Sequence, residues 1–170
     1  PMVVLFAPHT TVASTRLAAM RMFWRRSPTW KIGNRGLASQ AKPRYVSGMK
    51  HSAGFLTLVE DAKARITEIS VEDLPTRLME NPETILLDVR EESEWAKAHA
   101  KEAQYLGKGV LERDLETRFP DKTAEIIMYC GGGYRSALTC DAAQKMGYTN
   151  VKSLAKGYQG LVVADWPMES

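Results

Sequence analysis

The sequence predicts an α/β domain built on a small, mostly parallel sheet flanked by helices. Short apolar strands alternate with helical segments from residue 54 onward. Two of the strands, Thr84 to Val89 and Ile126 to Tyr129, are nearly unbroken apolar runs, the pattern of strands covered on both faces. Strands and helices that alternate at this spacing favour parallel pairing. At 170 residues the chain has room for one ordinary domain with a sizeable core.

Each element has its own signal. Phe55, Leu58, Val59 and Ala62 repeat at i, i+3, i+4, i+7 and predict a short helix with those four residues inward. Ile66 to Ile69 reads as a short strand. Ser70-Val71-Glu72-Asp73 resembles a capping box that starts a helix towards Met79, with Pro75 early enough to be tolerated. Asn81-Pro82 is a turn before the Thr84 to Val89 strand. A helix is expected over Ser93 to Ala100 and a short strand over Gln104 to Leu106. A further helix runs from Leu111 to Phe119, where Pro120 ends it. The Ile126 to Tyr129 strand leads to a helix from Arg135 to Met146, with Gly147 just past its end. Val151 to Leu154 is the last strand, and Gly157 leads into a short helix over Tyr158 to Ala164.

Charge divides the chain. Residues 1–59 hold nine Lys and Arg and no Asp or Glu, a net +9, whereas the remainder holds 14 Lys and Arg against 20 acids, a net −6. The acidic body argues against nucleic-acid binding. No apolar run of about 18 residues is present, so no membrane span is expected. The segment from Ser14 to Arg44 is rich in Arg and free of acid, as mitochondrial presequences are. Met49-Lys50-His51 also reads as a translation start, which would make residues 1–48 an upstream extension. Residues 1–51 are therefore expected to be a disordered basic extension, and 52–170 the folded domain. The location follows the first segment: cytoplasmic if residues 1–48 are not native, the mitochondrial matrix if they are a presequence.

The chemistry concentrates at Cys130-Gly131-Gly132-Gly133-Tyr134-Arg135-Ser136. An apolar strand ends on a cysteine, three glycines follow, and an arginine opens a helix. The glycines let backbone N–H groups turn inward around one atom, and the helix points its positive end at the same place. Such a site favours a thiolate and an anionic group on its substrate. The dinucleotide pattern G-x-G-x-x-G and the Lys-Ser/Thr of a P-loop are both absent. In open α/β sheets ligands bind outside the carboxyl ends of strands, where Cys130 and Asp88 both fall. Cys140 lies ten residues beyond Cys130, too far along a loop and helix at about 1.5 Å per residue for an expected disulfide, and is assigned to the helix's inner face. Two unpaired cysteines suit a reducing compartment. No His/Cys cluster has metal-ligand spacing, so no metal or cofactor is expected.

Four motifs in order resemble the single-domain rhodaneses, sulfurtransferases of the thiosulfate type. They are Leu87-Asp88-Val89-Arg90 with Glu94-Trp95, then Ala98-His99-Ala100, the Tyr129 to Ser136 loop, and Gly147-Tyr148-Thr149-Asn150-Val151 followed by Lys156-Gly157-Tyr158. The likeness spans about Ile66 to Pro167. Two positions depart from the family pattern. Its Gly-His-Ile-Pro-Gly-Ala is Ala98 to Ala103 here, and its closing Gly-Gly is Lys156-Gly157.

The resemblance implies a three-layer domain and double displacement: Cys130 takes a sulfur from a small anionic donor and passes it to cyanide, a thiol or a protein cysteine. Gly131, Gly132, Gly133, Tyr134, Arg135 and Ser136 are the expected substrate-binding residues. The loop would cradle the anion through backbone N–H groups, and Arg135 would add a forked donor set, or else pair with an acid such as Asp88. Ser136 is read as a helix-start hydroxyl serving a backbone donor. Asp88 and Arg90 are read as structural support and His99 as a packing residue. The alternatives are a cysteine phosphatase or arsenate reductase, whose loops run Cys-x5-Arg against Cys-x4-Arg here, a non-catalytic docking module, and a dithiol oxidoreductase using Cys140.

Overall fold

The computed structural model describes residues 50–170. The expected basic extension lies outside the described residues except for Lys50 and His51. Five parallel strands form the central sheet in the order β1-β6-β5-β2-β4, where β1 is Thr67–Ile69, β2 Ile85–Asp88, β4 Gln104–Tyr105, β5 Ile126–Tyr129 and β6 Val151–Leu154. A two-stranded antiparallel pair, β3 (His99–Ala100) and β7 (Met168–Glu169), stands apart from it.

The helices are α1 (Ala53–Lys63), α2 (Leu74–Glu80), α3 (Glu92–Trp95), α4 (Leu111–Arg118), α5 (Tyr134–Lys145) and α6 (Gly157–Val163). One face of the sheet carries Leu87, Ile126, Met128 and Val151, which pack with Leu111 and Leu115 of α4 and Cys140 and Ala143 of α5 in a single core. The two-residue strand period sends Leu86 and Ile127 to the opposite face, and both are buried there. All four residues of β5 are buried, which is why this strand reads as a continuous apolar run.

Three elements differ from the sequence expectation. The helix expected over Ser93 to Ala100 is one turn, Glu92–Trp95. Glu91 and Glu94 cap that turn reciprocally, but the Arg90 guanidinium then takes the Ala98 carbonyl at 2.8 Å and His99 pairs with Glu169 across β3 and β7. The helix expected from Ser70 begins four residues later, at Leu74. Ser70 still acts as a cap, its Oγ accepting the Asp73 N–H at 3.2 Å, but within a turn, and Pro75 occupies the first helical turn where its missing N–H is harmless. In α1, Val59 and Ala62 are buried as the period predicts, whereas Leu58 is 60% exposed. Gly147 follows α5 at φ +96°, the left-handed turn that a glycine accommodates.

Candidate active site

Cys130 follows the last residue of β5 and is 1% exposed. Gly133, at φ +94°, turns the chain into α5 and aims its own N–H at the Cys130 Sγ, 3.2 Å away. The first turn of a twelve-residue helix thus opens at the sulfur. Ser136 donates from its Oγ to the same sulfur at 3.7 Å, instead of serving a backbone donor as the sequence reading has it. Its Oγ also lies 2.9 Å from the Ser153 Oγ on β6, and both hydroxyls are fully buried.

The loop is held from outside by the start of α6. Tyr158 N–H donates to the Cys130 carbonyl at 2.7 Å and Gln159 N–H to the Gly131 carbonyl at 3.1 Å. Drawing these carbonyls towards α6 leaves the opposite side of the loop to its N–H groups. The three loop glycines have distinct neighbours. A Cβ on Gly131 would stand 3.3 Å from the Arg135 guanidinium, one on Gly132 3.4 Å from the Gln159 side chain, and one on Gly133 3.3 Å from the Lys156 nitrogen. The Tyr134 ring meets His51, just before α1, at 4.8 Å and Phe55 of α1 at 6.1 Å between centroids.

Arg135 does pair with an acid, but the acid is Glu94 and not Asp88. The fork is two-pronged, Nη1 to Oε2 at 2.6 Å and Nη2 to Oε1 at 3.0 Å, with Glu91 3.4 Å away. The Glu94 carboxylate raises the Arg135 pKa above its ordinary value against the opposing effect of burial, and Arg135 in turn lowers that of Glu94. Asp88 belongs to a second, buried pair. It accepts the Arg90 N–H at 2.9 Å, which holds the turn after β2, and the Arg90 side chain at 2.6 to 3.0 Å. Burial works against the Arg90 charge, yet Asp88 holds it above the usual value. The Arg90 guanidinium lies 4.1 Å from the Tyr158 ring centroid, so this pair supports the α6 residue that grips Cys130. Among the described residues the hydrogen bonds to the Cys130 sulfur come from Gly133 and Ser136, whereas Asp88 and Arg90 bond each other and Arg90 also bonds the Ala98 carbonyl. His99 stacks on Trp95 at 3.5 Å, among packing residues.

Cys140 is fully buried on α5, and both cysteines are free. Burial, with a smaller contribution from Cys130, pushes the Cys140 thiol pKa up, which keeps it protonated.

In the sequence Glu94 stands out only as a motif residue without a role, and Ser153 and Gln159 are given none. Glu94 carried a usable signal, since it stands in the Glu94-Trp95 pair of the first motif. Ser153 carried no such signal, because it stands beside Lys152 in a strand of which half the residues are polar.

The rhodanese-like domain profile matches residues 70–164. A protein of Bacillus subtilis (strain 168) named "Putative sulfurtransferase YtwF" is 31% identical over 86 residues, spanning 51% of this chain and 82% of that protein. Among solved structures, the "Protein of Unknown Function RPA3614, Possible Tyrosine Phosphatase" of Rhodopseudomonas palustris CGA009 superposes with a TM-score of 0.62 at 22% identity, over 76% of this chain and 100% of that one. Thiosulfate sulfurtransferase from Pseudomonas aeruginosa gives a TM-score of 0.59 at 20% identity, over 68% of this chain and 22% of its own. At such identities the structural likeness speaks for the fold alone. With a family match over more than half its length and a curated relative covered over four fifths of its own, the chain belongs to the rhodanese-like domain family.

Proposed function

We propose that this protein is a sulfurtransferase that carries a sulfane sulfur as a persulfide on Cys130. One observation supports this above the others: the Cys130 Sγ sits at the end of a buried strand with the Gly133 N–H and the Ser136 hydroxyl both donating to it. Two fixed donors favour negative charge on that sulfur.

In the first step the Cys130 thiolate attacks the outer sulfur of thiosulfate or of another sulfane donor. A new S–S bond forms to Cys130. The donor's bond breaks, and its electron pair leaves with sulfite when thiosulfate is the donor. In the second step a thiolate, a protein cysteine or cyanide attacks the terminal sulfur of the persulfide, and the Cys130 thiolate departs. No general base is needed, and the covalent intermediate divides one transfer into two easier ones. The inward N–H groups of the loop bind the charge that moves through the site.

The loop length supports sulfur over phosphate: Cys130 to Arg135 is Cys-x4-Arg, one residue shorter than the Cys-x5-Arg loops that hold a tetrahedral oxyanion.

The test is intact mass after brief incubation with thiosulfate, on the wild type and on Cys130→Ser. The expected result is a gain of about 32 Da, one sulfur atom, reversed by cyanide and absent from the variant. A wild-type mass that stays unchanged with thiosulfate and with an organic persulfide, or a gain that survives Cys130→Ser, overturns the assignment.

A further inference from the structure

The structure assigns Ser153 a role that neither the family motifs nor the loop announces. Ser153 lies on β6 opposite Met128 of β5. Cys130 is two residues past Met128, so the strand period puts Ser153, Met128 and Cys130 on the same face. That face is the apolar core with α5, and a hydroxyl there is unfavourable unless it is bonded. Ser153 is fully buried, and among the described residues its side chain bonds Ser136 alone, at 2.9 Å.

Each serine hydroxyl has one proton to give. Ser136 gives its proton to the Cys130 Sγ. Its oxygen must then accept from Ser153, and the three groups form a chain in which Ser153 donates to Ser136 and Ser136 to sulfur. Chains of this kind strengthen each member in a low-dielectric setting. They also fix direction. A serine in a helix otherwise turns its hydroxyl towards a carbonyl one turn back, which would take the Ser136 proton away from the sulfur.

We propose that Ser153 is a positioning residue for Cys130, holding the Ser136 hydroxyl proton on the sulfur and so favouring the thiolate. The role rests on the reading of Cys130 as the nucleophile.

The experiment compares iodoacetamide alkylation of Cys130 across pH, located by peptide mass, in wild type, Ser153→Ala, Ser136→Ala, the double variant and Ser153→Thr. Arg135 and Cys140, titratable groups that interact electrostatically with Cys130, are unchanged in all of them. The expected result is a pH–rate profile moved to higher pH in Ser153→Ala, with a rate near neutrality lower by about 3–10-fold, the range of one hydrogen bond. Ser153→Ala should add nothing once Ser136 is already Ala, and Ser153→Thr should restore the wild-type profile. A wild-type profile in Ser153→Ala overturns the proposal, as does a full Ser153→Ala effect in the Ser136→Ala background. The readout needs no sulfur donor, so it fails or succeeds independently of the persulfide test.

Discussion

Gly157 approaches Cys130 so closely that a Cβ at this position would lie 2.2 Å from the Cys130 carbonyl oxygen and 3.2 Å from the Gly133 nitrogen. The approach is what lets the start of α6 reach the loop carbonyls. Gly157 also sits at φ +46°, where a side chain is strained in its own right. Gly157→Ala must therefore push the Cys130 carbonyl away and break the Tyr158 and Gln159 bonds. The expected outcome is a loss of about 10²–10³-fold in sulfur transfer, the usual effect of disordering a preorganised donor, with a thermal stability lower by about 1–3 kcal/mol. Stopped turnover assays alongside circular dichroism melting check it. Near-wild-type turnover would show that α6 does not shape the loop.

Lys156 occupies the position before it at φ +62°, where the family pattern has glycine. A non-glycine residue in this region costs about 1–2 kcal/mol. Lys156→Gly removes that penalty but loosens the unfolded chain by about 0.5–1 kcal/mol. A small net gain, up to about 1 kcal/mol, is expected. Lys156→Val should lose about 1–3 kcal/mol, because a β-branched residue is a poorer fit to positive φ. Urea denaturation should rank the three Gly, Lys, Val in falling stability. A valine variant as stable as the wild type would contradict the ranking.

The strands were the most legible part of the sequence. All five strands of the main sheet fall within a residue or two of their expected bounds, because β2 and β5 are buried on both faces and their composition says so directly. The stretch after Trp95 misled for a local reason. Its residues allow a helix, but Ala98 and His99 are claimed by Arg90 and Glu169, partners 8 and 70 residues away that no local pattern displays. The same divide runs through the site. The Cys130 loop is contiguous and visible. Ser153 and Glu94, which complete it, come from elements 17 and 41 residues from their partners and become meaningful only when the sheet assembles.

Glu94 sets how much of the Arg135 charge a donor can use. The carboxylate now fills both prongs of the guanidinium. Glu94→Gln should leave Arg135 free to bind a sulfonate, lowering KM for thiosulfate several-fold and steepening its dependence on ionic strength. The pair is partly exposed, with side chains 28% and 34% accessible, so the stability loss should stay near about 0.5–1 kcal/mol. Steady-state kinetics at two salt concentrations decide the matter. A raised KM would mean that the acid is needed to hold Arg135 in a productive place.

Asp141 ties the end of α1 to α5. It accepts Arg65 at 2.8 and 3.1 Å and Lys145 at 2.7 Å, and these two cations, Arg65 foremost, lower its pKa from 3.8 to about 2. A carboxylate depressed in the folded state contributes stability that is fully present above its unfolded value and is lost as pH falls through the folded one. The window here lies between about pH 4 and pH 2. Both cations are well exposed, Arg65 at 43% and Lys145 at 67%, so solvent screening reduces the contribution to about 1 kcal/mol. Asp141→Asn should therefore be less stable than the wild type by about 1 kcal/mol at pH 6, and the two should converge as the pH approaches 2. Urea midpoints measured from pH 6 down to pH 2 test the sign. A gap that stays constant across that range would assign the loss to side-chain packing and not to the charge on Asp141.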